Sequence, residues 1–172
     1  MTTPQVTSQT RSMLTRFLEV WNDHDVDKVL SFLTEDVVWT EPGLPMPVRG
    51  KEAAATSVRD TFTAFPDISW PKEDMRVYTS DNPAFAASSY TMVGTMHGRM
   101  APGFAPTGKR FRLTGACLYE LRDGLIARHT ILYDSVTAMQ QIGLLPDPDS
   151  FAFKAQMHLQ SLTSRAKGLI RR

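Results

Sequence analysis

From Ser8 to Trp21 the apolar residues Met13, Leu14, Phe17, Leu18 and Trp21 recur at intervals of three and four, the stripe of an amphipathic helix facing a core. Asn22, Asp23 and His24 end it, and Asp25 is placed to cap a second, shorter helix reaching Leu33, with Asp27 in its first turn. "DVVWTEP" then reads as a strand stopped by Pro42, and "EPGLPMPVRG" as a loop suited to a pocket rim. A third helix is expected over "KEAAATSVRDTFTAF", whose stripe is Ala54, Val58, Phe62 and Phe65, before Pro66 stops it.

After Pro66 the period falls to two. "DISWPKEDMRVYTS", "PAFAASSYTMVGTMHG", "KRFRLTGACLYELRDG" and "LIARHTILYD" read as four strands, the last two joined by a hairpin at Arg122-Asp123-Gly124. A short helix ends at Gly143, the glycine expected at a helix stop. Helices first and neighbouring strands afterwards predict an α+β protein with helices on one face of an antiparallel sheet. Beyond "LLPDPDS" a last helix is expected from Ser150 to Ile170, with Phe153, Met157, Leu162 and Leu169 on its apolar side and Arg165, Lys167, Arg171 and Arg172 at its solvated end. The expected organisation is thus a main domain over 1–145 and a helical extension over 146–172 packed on it.

Composition narrows the function classes. The chain has 172 residues, enough for one core without disulfide or metal staples, and 19 basic against 18 acidic residues give a net charge of +1. That balance offers no field for nucleic acid or an anionic membrane. Cys117 is the single cysteine, and no run of eighteen apolar residues or secretory leader pattern is present, so a cytoplasmic protein with a small-molecule or protein partner is expected.

Motifs with strong chemical precedents fail on context. "GFAPTGKR" matches a phosphate-binding loop as far as G-x-x-x-x-G-K, but Arg110 stands where a hydroxyl residue should hold magnesium, and the stretch leads into a strand, so it reads as a turn. The histidines at 24, 97, 129 and 158 lack metal-ligand spacing, and neither a nucleophile elbow nor a dinucleotide turn occurs. The expected chemistry is therefore acid–base, without cofactor or metal. In "LIARHTILYD" alternation puts His129 with Leu125, Ala127, Ile131 and Tyr133 on one face and Asp134 on the other, roughly 17 Å from His129 in a straight strand. Each candidate has a plain structural alternative: a satisfied core histidine for His129, a helix N-cap for Asp134, and a solvent-facing strand end for Glu41.

The order of elements, together with "WNDHDVDKVLSFLTEDVVW", "GTMHGRMAPGFAPTGKR" and "DGLIARHTILYDSVTAMQQIG", resembles the SnoaL-like polyketide cyclases of the nuclear-transport-factor-2-like superfamily over about residues 8 to 145. The chain departs from the group's pattern in its longer tail and in Thr130, where a tryptophan often follows the histidine. The resemblance implies a cone-shaped α+β barrel, a strongly curved antiparallel sheet wrapped around the N-terminal helices over a deep apolar pocket. It implies acid–base roles for His129 and Asp134, and places Glu41, before Pro42, where ketosteroid-isomerase-like relatives hold a general base. Trp39, Tyr90, Tyr119, Phe111 and Cys117 are the expected substrate-lining residues.

The activity implied is a cofactor-independent aldol cyclisation or isomerisation of a hydrophobic carbonyl metabolite. Two alternatives stand beside it: epoxide hydrolysis of the limonene-epoxide-hydrolase kind, for which Arg112 or Arg128 would be the arginine, and a non-catalytic binding or assembly domain. A homodimer through the convex sheet face is also implied, although Arg110, Arg112, Thr114, Glu120 and Arg122 would make that face polar.

Overall fold

In the computed structural model, which describes residues 3–147, 149–151, 153–155 and 157–161, the amphipathic stripe near the N-terminus becomes helix α1, Thr3–Val20. Leu14 and Phe17 on that stripe are wholly buried. A 3-10 turn, Trp21–Asp23, and a left-handed His24 reverse the chain into α2, Val26–Leu30. Asp25 caps α2 as the sequence predicts, accepting a hydrogen bond from the Lys28 backbone N–H. The helix stops three residues earlier than expected. Leu33 instead opens strand β1, Leu33–Thr40, and Phe32 already accepts a sheet bond from the Ile126 N–H.

The Pro-rich loop after β1 contains a short strand with no local pattern to announce it, β2, Val48–Arg49, before α3, Lys51–Ala64. "DISWPKEDMRVYTS" is mostly not a strand. Pro71 lacks the N–H that a ladder needs and leads into a 3-10 turn at Lys72–Asp74, so only β3, Arg76–Thr79, is extended, with an isolated bridge from Ser69 to Val93. β4, Phe85–Thr95, β5, Arg110–Arg122, and β6, Leu125–Tyr133, follow, and α4, Ser135–Gln141, completes the unit. At the β5–β6 hairpin Asp123 and Gly124 both have positive φ, which is the primed turn their pair of residue types favours. "GFAPTGKR" is an exposed connection into β5, with Gly103 and Gly108 at positive φ and no helix behind it.

The six strands form one curved, open sheet in the order β2-β1-β6-β5-β4-β3. Its pairings are antiparallel with one exception: β1 runs parallel to β6, Trp39 opposite His129 and Thr40 opposite Thr130. The expected all-antiparallel sheet is corrected on this point. Parallel neighbours need a long crossover, and here the whole stretch from β2 to β5 supplies it. The edge strand β3 is covered by α1, whose Arg11 guanidinium donates to the Val77 carbonyl at 2.7 Å.

β5 alternates strictly, Phe111, Leu113, Cys117 and Tyr119 inward and Arg110, Arg112, Thr114, Glu120 and Arg122 outward. The outer face is less polar than that list suggests, because Leu118 and Leu132 are also exposed there. Helical backbone recurs at residues 151, 153–155 and 157–161, where Phe153 is partly buried and Met157 exposed; Leu162, Arg165, Lys167, Leu169, Arg171 and Arg172 lie outside the described residues. Among the described residues, no helix is long and apolar enough to cross a membrane.

Two of the sequence motifs prove to be joints of the scaffold. In "WNDHD", Trp21 is buried, the Asn22 amide exchanges two hydrogen bonds with the Trp70 backbone at 2.9 and 2.7 Å, and His24 Nε2 donates to the Ile68 carbonyl at 2.6 Å while its ring stacks on Phe62. These contacts fasten the α1–α2 corner to the segment after α3. In "GTMHG", a Cβ on Gly98 would lie 1.8 Å from the Thr63 carbonyl oxygen, so only glycine lets the end of β4 pass the end of α3.

Candidate functional site

The concave side of the sheet, α1, α3 and α4 enclose a cavity of about 280 Å³. Its wall is dominated by aromatic and aliphatic side chains, and all three tryptophans of the chain, Trp21, Trp39 and Trp70, line it. Trp21 touches both others, with ring centroids 5.7 Å from Trp39 and 5.2 Å from Trp70. Successive inward residues of β6, His129, Ile131 and Tyr133, run along this wall. The inward face of β1, Val37 and Trp39, continues to Glu41 just past the strand end, so β1 and β6 together bring Glu41 and Tyr133 into one cavity.

Glu41 is partly buried and accepts a hydrogen bond from the Trp39 indole N–H at 3.3 Å. Burial raises its carboxyl above the usual range, and the indole bond only partly offsets this. No cation pairs with it among the described residues. Near it, Tyr133 has its phenol pushed up to about 12 by burial and by the Glu41 charge, and the hydroxyl lies against the Gly43 backbone, 3.1 Å from where a Cβ on that glycine would stand. Burial likewise raises Tyr90, with the Cys117 thiol and Glu41 adding to the effect. Such phenols stay protonated at neutral pH and remain hydrogen-bond donors.

His129 sits in an aromatic box: stacked on Tyr119 at 5.2 Å, and flanked by Trp39 at 4.7 Å and Phe17 at 5.5 Å. Its Nε2 lies 3.2 Å from Cys117 Sγ, and its buried Nδ1 has no hydrogen-bond partner. Desolvation drives its pKa down to about 3, so the ring is neutral at physiological pH. It can hold a hydrogen bond there, but an imidazolium is not at hand. Burial also raises the Cys117 thiol to about 12, and the Tyr119 hydroxyl completes the polar cluster with Ser88 Oγ at 2.8 Å.

Of the residues singled out by sequence, Glu41, His129, Trp39, Tyr90, Tyr119, Phe111 and Cys117 thus meet around one cavity. Asp134 does not. It is exposed and caps α4, accepting from the backbone N–H groups of Val136 and Thr137 and from the Thr137 hydroxyl at 3.0, 3.1 and 2.6 Å. Those bonds, the Thr137 hydroxyl first, hold its carboxyl below the ordinary aspartate range, opposite to what a base near neutrality needs. Asp134→Ala is expected to lower the melting temperature by about 3 °C through loss of the cap while leaving ligand binding unchanged, measured by thermal melts with and without ligand.

The arginines considered for epoxide opening are also outside. Arg112 pairs with Asp74 at 2.9 Å and Arg128 with Glu120 at 3.0 Å on the outer side of the sheet. Among the described residues no cluster of three histidine, cysteine or acidic side chains is placed to hold a metal ion.

Neither Tyr133 nor α4 carries a motif that marks it as a site element, although alternation sets Tyr133 on the His129 face. The "Q-x-G" of the last motif explains the place of α4. Gln141 Oε1 accepts from the Arg112 N–H at 2.7 Å and its Nε2 donates to the Arg112 carbonyl at 3.2 Å, while Thr107 Oγ1 donates to the Ile142 carbonyl at 2.7 Å. Pinned in this way to the start of β5, α4 presents Ala138, Met139 and Ile142 to the cavity.

Comparison with known proteins agrees with this architecture. A protein from Xanthomonas campestris assigned as a polyketide cyclase superposes with a TM-score of 0.72 at 23% identity, over 80% of this chain and 98% of its own. A Pseudomonas putida protein with the same assignment gives 0.71 at 19%, over 77% and 97%. AclR from Streptomyces galilaeus, described as a hydroxylase, gives 0.69 at 17%, over 94% and 98%. At such identities these likenesses speak for the fold alone. No curated protein sequence gives a significant match. The sequence profile of SnoaL-like polyketide cyclases, however, matches residues 11–142, most of the chain, and the protein therefore belongs to the SnoaL-like polyketide cyclase family.

Proposed function

We propose that the protein is a cofactor-independent acid–base enzyme acting on a hydrophobic carbonyl metabolite, with Glu41 as the proton-transferring group. The observation that carries this reading is an unpaired carboxylate in an apolar cavity, its pKa raised by burial, with neutral phenols beside it. Glu41 takes a proton from the carbon next to a carbonyl. The carbonyl oxygen gathers the charge of the resulting enolate, and Tyr133 or Tyr90 donates a hydrogen bond to it as it does so. Return of the proton to a different carbon gives isomerisation. Attack of the enolate carbon on a second carbonyl, whose oxygen then takes the proton, gives aldol cyclisation.

In this scheme His129 and Cys117 shape the cavity wall as neutral groups and Asp134 holds α4. Epoxide hydrolysis is not favoured, because neither candidate arginine reaches the cavity. Binding without turnover is the second reading, and the outward placement of Asp134 favours it.

The test is solvent-deuterium incorporation next to the carbonyl of polycyclic ketone and ketosteroid probes, followed by mass spectrometry for wild type and Glu41→Gln. Exchange that depends on Glu41 supports the enzyme. Saturable binding of the same probes, with exchange no faster than in buffer, leaves the binding reading in its place.

A further inference from the structure

The cavity has a second polar edge that the proposed chemistry does not use. On α3, Ser57, Asp60 and Thr61 occupy adjoining positions within one turn and all line the cavity. Asp60 is exposed, which puts it at the rim, and no ion pair or hydrogen bond engages its carboxylate among the described residues. The two hydroxyls beside it are turned inward to the helix: Thr61 Oγ1 donates to the Ser57 carbonyl at 2.9 Å and Ser57 Oγ to the Ala53 carbonyl at 3.4 Å. Their hydrogens are occupied, so towards a ligand they offer lone pairs. The rim is therefore an acceptor surface with a negative charge at its centre.

The charge balance of the whole lining points the same way. Its carboxylates are Glu41 and Asp60, its histidine is held neutral, and it includes no lysine or arginine among the described residues. An anionic ligand would meet two carboxylates and no cation; a ligand with a protonated nitrogen would meet a counterion at the entrance. We propose that Asp60, supported by Ser57 and Thr61, is a specificity-determining residue that selects ligands whose apolar ring system carries a basic amine at the end facing the α3 rim. This deepens the preceding reading by naming a substrate class, but its test needs only binding.

The experiment is calorimetric titration of the full chain with three probes of one shape, 2-naphthylmethylamine, 2-naphthalenemethanol and 2-naphthoate, at low ionic strength. The amine is expected to bind at least about fivefold more tightly than the alcohol, and the carboxylate more weakly than either. Asp60→Asn, an isosteric change at an exposed position, should bring amine and alcohol to within about twofold of each other, whereas Glu41→Gln should keep most of the amine preference. A carboxylate that binds as well as the amine, a preference unchanged in Asp60→Asn, or no binding by any probe overturns the proposal. Failure of deuterium exchange with the amine preference intact would remove the enzyme reading and leave this one standing.

Discussion

Glu41→Gln is expected to lower proton exchange or turnover by about 10²–10⁴-fold without loss of fold. Glutamine keeps the shape of the side chain and can still accept the Trp39 indole hydrogen bond through its amide oxygen, but it has no basic carboxylate. The pH profile should identify the same group. A base acts when deprotonated, and burial raises the Glu41 pKa, so the wild-type rate should fall on the acid side at a higher pH than an ordinary glutamate would give. Stability should move the other way. A carboxyl whose folded pKa lies above its unfolded value binds its proton more tightly in the folded state, so its contribution declines as pH rises through that interval. Glu41→Gln should therefore melt at or above the wild-type temperature at pH 7. A variant that loses activity only by melting early would remove Glu41 from the chemistry.

The second large effect belongs to His129 and concerns acid stability. Its pKa is about 3 in the folded protein against an ordinary value of 6.5, so the unfolded chain binds a proton that the native state refuses. Stability from this group is fully present above about pH 6.5 and is lost as pH falls towards 3, with a limiting slope of about 1.4 kcal/mol per pH unit. Glu41, whose folded pKa is raised by burial, slopes oppositely where it titrates, so the informative quantity between about pH 6.5 and 5 is the difference between wild type and His129→Phe. Phenylalanine fills the aromatic box and removes both the titration and the unpartnered Nδ1. Urea unfolding over that range should show the wild type losing stability relative to the variant as pH falls. Parallel curves would mean that the imidazole accepts its proton in the fold.

How much of this could be read from the sequence depended on the range of the interactions. α1, the β5–β6 turn and the alternation of β5 are set by neighbours within a few residues, and Leu14, Phe17, Asp123 and Gly124 already specify them. The parallel pairing of β1 with β6 has no local signal, since Trp39 and His129 meet only after half the chain has intervened. Glu41 was legible as a candidate, and its inward direction follows from Trp39 and Val37, two and four residues before it. Asp134 shows the limit of motif reading. The strand-to-helix junction demands a cap there, and the family resemblance offered a catalytic role for the same atom; only the hydrogen bonds to Thr137 and Val136 separate the two. Asp60 was invisible for a different reason. It lies off the apolar stripe of α3 and reads as solvent face, and only the folded cavity sets it among the lining residues.

The parallel pairing also has a consequence for how the protein folds. β1 is made early in synthesis, yet the strand it must join is among the last to appear, so Leu33–Thr40 waits with one edge unpaired while β2 to β5 emerge. Contacts this far apart in sequence slow the search for the native state and expose apolar strand edges in the interval. The β3–β6 meander, joined by neighbouring pairings, can form first, and docking of β1 beside β6 is then the late event. Because Glu41 arrives on β1 and Tyr133 on β6, the candidate site would be assembled by that last step, and a nascent chain would hold no complete pocket until it had happened.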